Sequence, residues 1–488
     1  MRHGRQKALL ERAVLVLLFL APATAQAQGN GTLDLASLLR ERDPEAMIAG
    51  LKGDMQKQIG DHWIKLQLED SETAAKRNHG RLYPNPSLQA YVNRLGQSLI
   101  PREASDNIFV NFKILEDPLA YADTLATGTV YLSSGLISLL DNESQLAFVL
   151  MHEAGHVVLS HDLHQSIEEE KARRRGAMVS GIATLLGAGL GRAVGGTKGA
   201  VEGAGAGFVV AQVSEAVQRH RFVKEIQLES DQFATQVLLE HGFDAREAPA
   251  LMVKLGKCLH SSGGAAEAAF GDTANLLQRA ENIKKLLAGP YQPLVSRVLG
   301  GNGFRMSSPR YSLLMAELKR DNGLLALERD LFVIARTNLE EAAAVRTDDP
   351  LTMYGLGMLY RTVGRKDEDI AKAASYLKSA MEFDEVRHSF PEAYLQYAVE
   401  LLSREDPQRY SEVQRALRTY VVLYQRQSGG ELPREIRFVY DFLDLAGDRN
   451  WIAYKVNNVS SEAPYQLTGD VKVDAGFQSP EKRAARKP

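Results

Sequence analysis

Asn142-Glu-Ser-Gln-Leu-Ala-Phe-Val-Leu-Met-His-Glu-Ala-Gly-His-Val157 is the stretch from which the rest of the chain is read. Leu146, Val149, Leu150, Glu153 and Val157 recur at i, i+3, i+4 spacing, which predicts one amphipathic helix. Asp141 or Asn142 can cap its start. Residues four apart share a helix face, so His152 and His156 can present two imidazole nitrogens to one metal ion. Glu153, beside them, can reach water activated by that ion. Zinc lowers the pKa of such a water to ~7, and a carboxylate can take its proton as hydroxide attacks a carbonyl and return it to the leaving group. Glu153 is therefore the expected general base, with His152 and His156 as metal ligands.

His161 and His164 follow closely, but neither fits a third-ligand pattern of the metzincin kind. That pattern needs a histidine ten residues after the first and a glycine at the seventh; His161 is one residue short, and Leu159 holds the glycine position. His161 is expected at a helix end or beside a ligand that it orients.

Upstream, Leu88, Tyr91, Val92, Leu95 and Leu99 predict a helix between Pro84 and Pro101. Ile108–Leu115 and Thr129–Leu132 read as two strands, separated by a turn-rich segment over 116–128. Residues 28–80 are a polar helical lead-in with a helix start at Asp43-Pro44. Downstream, 176–207 is rich in glycine, which costs up to ~1 kcal/mol per interior helix position. It is read as a mobile loop or as a hairpin that contacts a membrane or covers the active site. A second helix, Val217–Glu240, carries Gln227, Glu229 and Asp231 and stops at His241-Gly242.

The N-terminus has basic residues Arg2, Arg5, Lys7 and Arg12, an apolar run Ala13–Leu20, and small residues through Ala27. This is the pattern of a secretory signal cut after Ala25 or Ala27, and the apolar run falls short of the ~20 residues that span a bilayer. Cys258 is the single cysteine, so an intrachain disulfide is excluded. Export without disulfides fits a bacterial periplasm. A formal net charge of −3 gives no basic excess, and nucleic acid is not an expected partner.

From Pro350 the chain reads as paired helices. Leu356-Gly357, Tyr360, Ala373, Leu377 and Ala380 resemble a tetratricopeptide repeat with a four-residue insertion near Lys366–Asp369. The plainer alternative is a generic helical cap on the enzyme domain. Helical hairpins of the repeat kind stack and present a concave surface to peptides or partner proteins.

Several further features carry a family resemblance: Tyr91-Val-Asn-Arg-Leu-Gly96, Gly128-Thr-Val-Tyr-Leu132, Gly135-Leu136, Leu146-Ala147, His152–His156, and Glu229-Ser-Asp231 followed by Gly242-Phe-Asp244. In order and spacing, over about residues 80–255, they resemble the zinc metallopeptidases that include the CAAX prenyl endoprotease, HtpX, mitochondrial Oma and periplasmic BepA. Export and C-terminal repeats make the BepA group the most similar. The resemblance implies one Zn2+ per chain and a third ligand from the later helix, at the position of Gln227, where the family has glutamate. Gln227 offers a neutral amide oxygen instead. Glu225 and Glu229 are each two residues away, ~200° around a helix, and Glu229 is the fallback donor. Asp231 matches the family aspartate that orients a ligand histidine.

The expected fold is an α+β zincin-type metallopeptidase domain, mainly helical with a small sheet, followed by an all-α tetratricopeptide-like repeat domain. The expected boundaries are signal peptide 1–27, lead-in 28–80, metallopeptidase domain 81–260, helical connection 261–345, repeats 346–460 and disordered tail 461–488. The resemblance implies a periplasmic zinc endopeptidase that cleaves unfolded or misassembled envelope proteins. Outer-membrane assembly machinery on the repeats and peripheral membrane contact are further expected partners. The alternative is a catalytically weakened metallopeptidase fold acting as chaperone or adaptor through its repeats.

Overall fold

The computed structural model describes residues 32–79, 81–102, 109–175, 224–262, 273–385, 388–403, 409–428 and 437–445. The expected signal segment, the glycine-rich stretch and the tail lie outside them. The chain divides into two compact units, Met1–Tyr311 and Ser312–Pro488. Among the described residues no helix is long and apolar enough to cross a membrane.

The first unit is helical around one small sheet. Its lead-in forms α1 (Leu35–Glu41), α2 (Pro44–Ala49) and α3 (Asp54–Asn78). Asp43 caps α2 by accepting from Ala46 N–H, with Pro44 at the first helical position, where its missing N–H costs nothing. Next come α4 (Pro86–Leu99), β1 (Asn111–Leu115), β2 (Ala122–Thr124) and β3 (Thr129–Ser133). The strand order is β1-β3-β2, with β1 parallel and β2 antiparallel to β3. β2 adds a third strand within the turn-rich segment 116–128, where two strands were expected on either side. Three residues are too few for an alternation signal, and only pairing with Val130–Leu132 of β3 makes them a strand.

β2 turns into β3 through Gly128, which has φ +90°. A Cβ there would lie 1.9 Å from the Phe109 carbonyl oxygen, so only glycine fits. The bonds Ser133 N–H to Tyr121 O and Leu125 N–H to Thr129 O fix the register, and odd residues of this segment face β3. The N–H and C=O groups of Ala122 and Thr124 therefore point to the outer edge of the sheet. No other strand among the described residues pairs there.

α5 (Ser134–Ser138) leads into α6 (Glu143–Val158), followed by a helix over 161–175 (α7) and one over 224–240 (α8). The expected helix at 217–240 is described from 224. α9 (Glu247–Ser262), α10 (Thr273–Ala288) and α11 (Gln292–Gly300) complete this unit. α6 is the central element: Asn142 caps it by accepting from Gln145 N–H, and nearly all its side chains are buried. The lead-in packs on α7, with Ile59 and Trp63 against Leu163 and Ile167.

The second unit is all helical in its described residues: α12 (Pro309–Glu328, whose first three residues fall in the first unit), α13 (Phe332–Val345), α14 (Pro350–Val363), α15 (Asp367–Asp384), α16 (Pro391–Leu402), α17 (Tyr410–Gln427) and α18 (Arg437–Leu445). Successive helices pack on one another, α14 on α15 and α16 on α17 most extensively. Leu377, Ala380, Tyr394, Tyr397 and Tyr420 share one buried cluster. The unit begins well before residue 346, and the first unit extends well past 260, so the span between them is divided rather than a separate connection.

Candidate metal centre

The two motif histidines converge. His152 Nε2 and His156 Nε2 lie 3.4 Å apart, close to the ~3.3 Å between two corners of a tetrahedron with metal–nitrogen bonds of about 2.05 Å. α8 crosses α6 at this level because residue 155 has no side chain. A Cβ on Gly155 would lie 3.2 Å from the Phe233 ring and 3.4 Å from Ser230. The close crossing brings Gln227 and Asp231, one turn apart, to the imidazole pair.

Gln227 faces His156, its amide nitrogen 3.5 Å from Nε2. Its Oε1 is buried with no hydrogen-bond partner among the described residues. Turning the amide half a turn puts that orphan oxygen toward the imidazole pair, as a metal donor requires. Two imidazole nitrogens at tetrahedral spacing and an unpartnered amide oxygen fit a zinc ion, with less negative charge than a carboxylate would bring. Among the described residues no three His, Cys, Asp or Glu side chains form a metal-holding group, and the third donor offered here is an amide.

Asp231 Oδ1 lies 3.0 Å from His152 Nδ1. A carboxylate can only accept, so Nδ1 carries the proton and Nε2 keeps its lone pair. Arg279, on α10 and only 2% exposed, donates to both oxygens of Asp231 at 2.8 Å. Its Nη2 also lies 3.3 Å from His152 Nε2. Burial opposes charge on Asp231, but Arg279 and His152 outweigh it and hold the carboxyl down at about 2. Sequence reading missed Arg279. The signal was there: it sits on the face marked by Leu276, Ala280 and Ile283, all buried, where a cation needs a buried partner.

His161 opens α7, after Ser160 turns the chain with φ +50°. Its Nδ1 is 3.0 Å from His156 Nδ1, and its Nε2 is 3.1 Å from Glu229 Oε2. Glu229, the fallback donor, faces this pair rather than the two Nε2 atoms. Arg42 holds its carboxylate at 3.1 and 3.2 Å and also contacts His164. Glu229 stays ionised: burial raises its pKa, but His161 and Arg42 together bring it below the usual value. Burial first, then His152, His161 and Arg279, keep the pKa of His156 well below that of a free imidazole. It is neutral, the form that binds metal.

Glu153 completes the centre. It is 8% exposed, and Thr124 of β2 donates to its Oε2 at 2.6 Å. The general-base candidate is thus tied to the edge strand with outward-facing peptide groups. The arrangement offers two oriented imidazoles, an amide, a restrained carboxylate and a strand edge that no other described strand pairs, which together can hold a metal and an extended peptide beside a base.

Residues 84–310 match peptidase family M48. Among known proteins, the chain is similar to the beta-barrel assembly-enhancing protease of Yersinia pestis, 29% identical over 243 residues, covering 49% of this chain and 45% of that protein. The protein of the same name from Escherichia coli K12 is 29% identical over 200 residues, covering 41% and 37%. A putative beta-barrel assembly-enhancing protease of Vibrio cholerae is 26% identical over 247 residues, covering 50% and 46%. The chain spans less than half the length of each of these relatives.

Proposed function

From a chain whose residues 84–310 form a peptidase M48 domain, we propose a zinc-dependent endopeptidase of the bacterial cell envelope that acts on unfolded or misassembled proteins in outer-membrane assembly. The observation that carries this reading is the approach of His152 Nε2 and the Gln227 amide to His156 Nε2, at 3.4 and 3.5 Å, with Glu153 next to His152 on the same helix. His152, His156 and Gln227 would hold the zinc, which supplies Lewis acidity toward water and toward the peptide carbonyl. Glu153 takes the proton of the attacking water and later delivers it to the leaving amine. Thr124 keeps the carboxylate aimed and satisfied while it waits. Asp231 and Arg279 hold His152 in the right tautomer.

The substrate lies extended along the outer edge of β2, bonded through the peptide groups of Ala122 and Thr124. An edge of this kind grips main chain rather than particular side chains. A folded protein, whose backbone groups are already paired, cannot use it, and an unfolded segment can. The helical hairpins of the second unit, read as tetratricopeptide-like, hold the client or an assembly partner. Export places the protein in the periplasm, with peripheral membrane contact.

Purified protein tests this directly. Stoichiometric zinc and casein cleavage that is lost both to chelator and in Glu153→Gln are the expected results; cleavage that survives Glu153→Gln refutes the assignment. Gln227 favours one alternative, a weakened peptidase working chiefly as chaperone or adaptor. Zinc bound poorly by the natural protein, with affinity and cleavage both rising at least tenfold in Gln227→Glu, would decide for it.

A further inference from the structure

Beyond the metal donors, an unbroken line of polar contacts runs from the lead-in to the back of His156. Arg42 donates to both oxygens of Glu229. Glu229 meets His161 Nε2 at 3.1 Å, and His161 Nδ1 meets His156 Nδ1 at 3.0 Å. We propose that Arg42, Glu229 and His161 are positioning residues that fix His156 in the Nδ1–H tautomer and so keep its Nε2 lone pair available to a metal.

The direction of every proton in this line follows from its acidic end. An ionised carboxylate has no proton to give, so His161 must donate from Nε2. His161 is 1% exposed, and burial disfavours the charged ring; neutral, it carries one N–H, and its Nδ1 is left as an acceptor. It accepts from His156 Nδ1, with the Ser230 hydroxyl nearby at 3.4 Å. His156 then has its lone pair on Nε2, the atom that faces His152 and Gln227. Free neutral histidine in water favours the opposite tautomer, so the site works against an intrinsic preference.

Arg42 fixes the start of the line: with both Glu229 oxygens committed to it, the carboxylate cannot swing out to solvent. Arg42 precedes the segment that matches the family, so this clamp is supplied by the lead-in. The same segment is tied to α8 at a second point, where Leu33 N–H donates to Gln236 Oε1 at 2.7 Å and Gln236 Nε2 donates to Leu33 O at 3.0 Å. The two imidazole ligands are thus oriented by separate carboxylates on α8, Asp231 directly and Glu229 through His161.

The inference rests on the zinc reading only for the identity of the metal, and its first test needs no metal. Nitrogen-15 NMR of the imidazoles in the full, metal-free chain should show His156 protonated at Nδ1. Glu229→Ala should give a mixture of tautomers and, in competition with a chelator, zinc binding about 10–100-fold weaker, the range for loss of such partners. His161→Ala should do the same. His161→Asn keeps an acceptor oxygen near the place of Nδ1 and should stay within about threefold of the natural protein. In that His161→Asn background, Glu229→Ala and Arg42→Met should have no further effect, whereas alone Arg42→Met weakens zinc in the same direction by less than Glu229→Ala.

The proposal is overturned if Glu229→Ala leaves the tautomer and the affinity within twofold, or if it costs as much with Asn at 161 as with His. Failure of the natural protein to bind zinc would overturn the peptidase reading instead, and the tautomer series would still decide this one.

Discussion

Replacing Arg279 by methionine removes a buried cation while keeping most of its apolar stem, and the structure sets the size of the effect. Arg279 and Asp231 are 2% and 1% exposed and joined by two bonds of 2.8 Å. With a folded-state pKa of about 2 against an ordinary 3.8, the site favours the ionised carboxylate by about 2–3 kcal/mol. That contribution is complete above about pH 4 and is lost as pH falls through about 2. Without Arg279 the carboxylate is a buried charge facing only His152, which costs about 3–5 kcal/mol. Acid should relieve that cost, because the orphaned carboxyl protonates at higher pH than before. The deficit of Arg279→Met should therefore be about 3–5 kcal/mol at pH 7 and shrink below about 2 kcal/mol near pH 3. Adding Asp231→Asn should recover most of it at pH 7, since a neutral amide needs no counter-ion. Trp63 is buried in the unit that carries the site, so urea unfolding of metal-free protein in a Trp451→Phe background follows that unit through one fluorophore. A deficit under 1 kcal/mol at pH 7, or one that does not change with pH, refutes the account of this pair.

Thr124→Val leaves Glu153 Oε2 without its donor. That leaves a buried group unsatisfied, at about 1–3 kcal/mol in stability, so the midpoint of thermal unfolding falls; kcat for casein, measured well below that midpoint, should fall about tenfold or more because the carboxylate is no longer aimed, and an unchanged kcat beside the lowered midpoint would show a structural role alone. Gly128→Ala forces a side chain into a φ of +90° and against the Phe109 carbonyl. It should cost more than about 2 kcal/mol in urea unfolding, and a neutral result would mean that the β2–β3 turn is not held as described.

Much of the centre is legible in local sequence because a helix converts spacing into direction. His152 and His156 share a face by four-residue spacing, and so do Gln227 and Asp231. The rotation between Gln227 and Glu229 likewise separates their directions, one toward the imidazole pair and the other toward His161 and Arg42. What is not legible depends on contacts between distant segments. Arg42 meets Glu229 across 187 residues and Arg279 meets Asp231 across 48, and no periodicity encodes either pairing. Thr124 could not be found because its strand exists only through its partner. His161 lies five residues after His156, off the helical period, and reaches it only because the backbone turns between them.

That turn has a consequence for how the chain can change. The chain turns at Ser160 by a single left-handed torsion and not by a spare loop, so the short break between His156 and His161 has little to absorb an inserted or deleted residue. One residue more or less rotates all of α7 by ~100°, carries His161 away from His156, and turns Leu163 and Ile167 off the lead-in helices. The interval should accept changes of identity and resist changes of length.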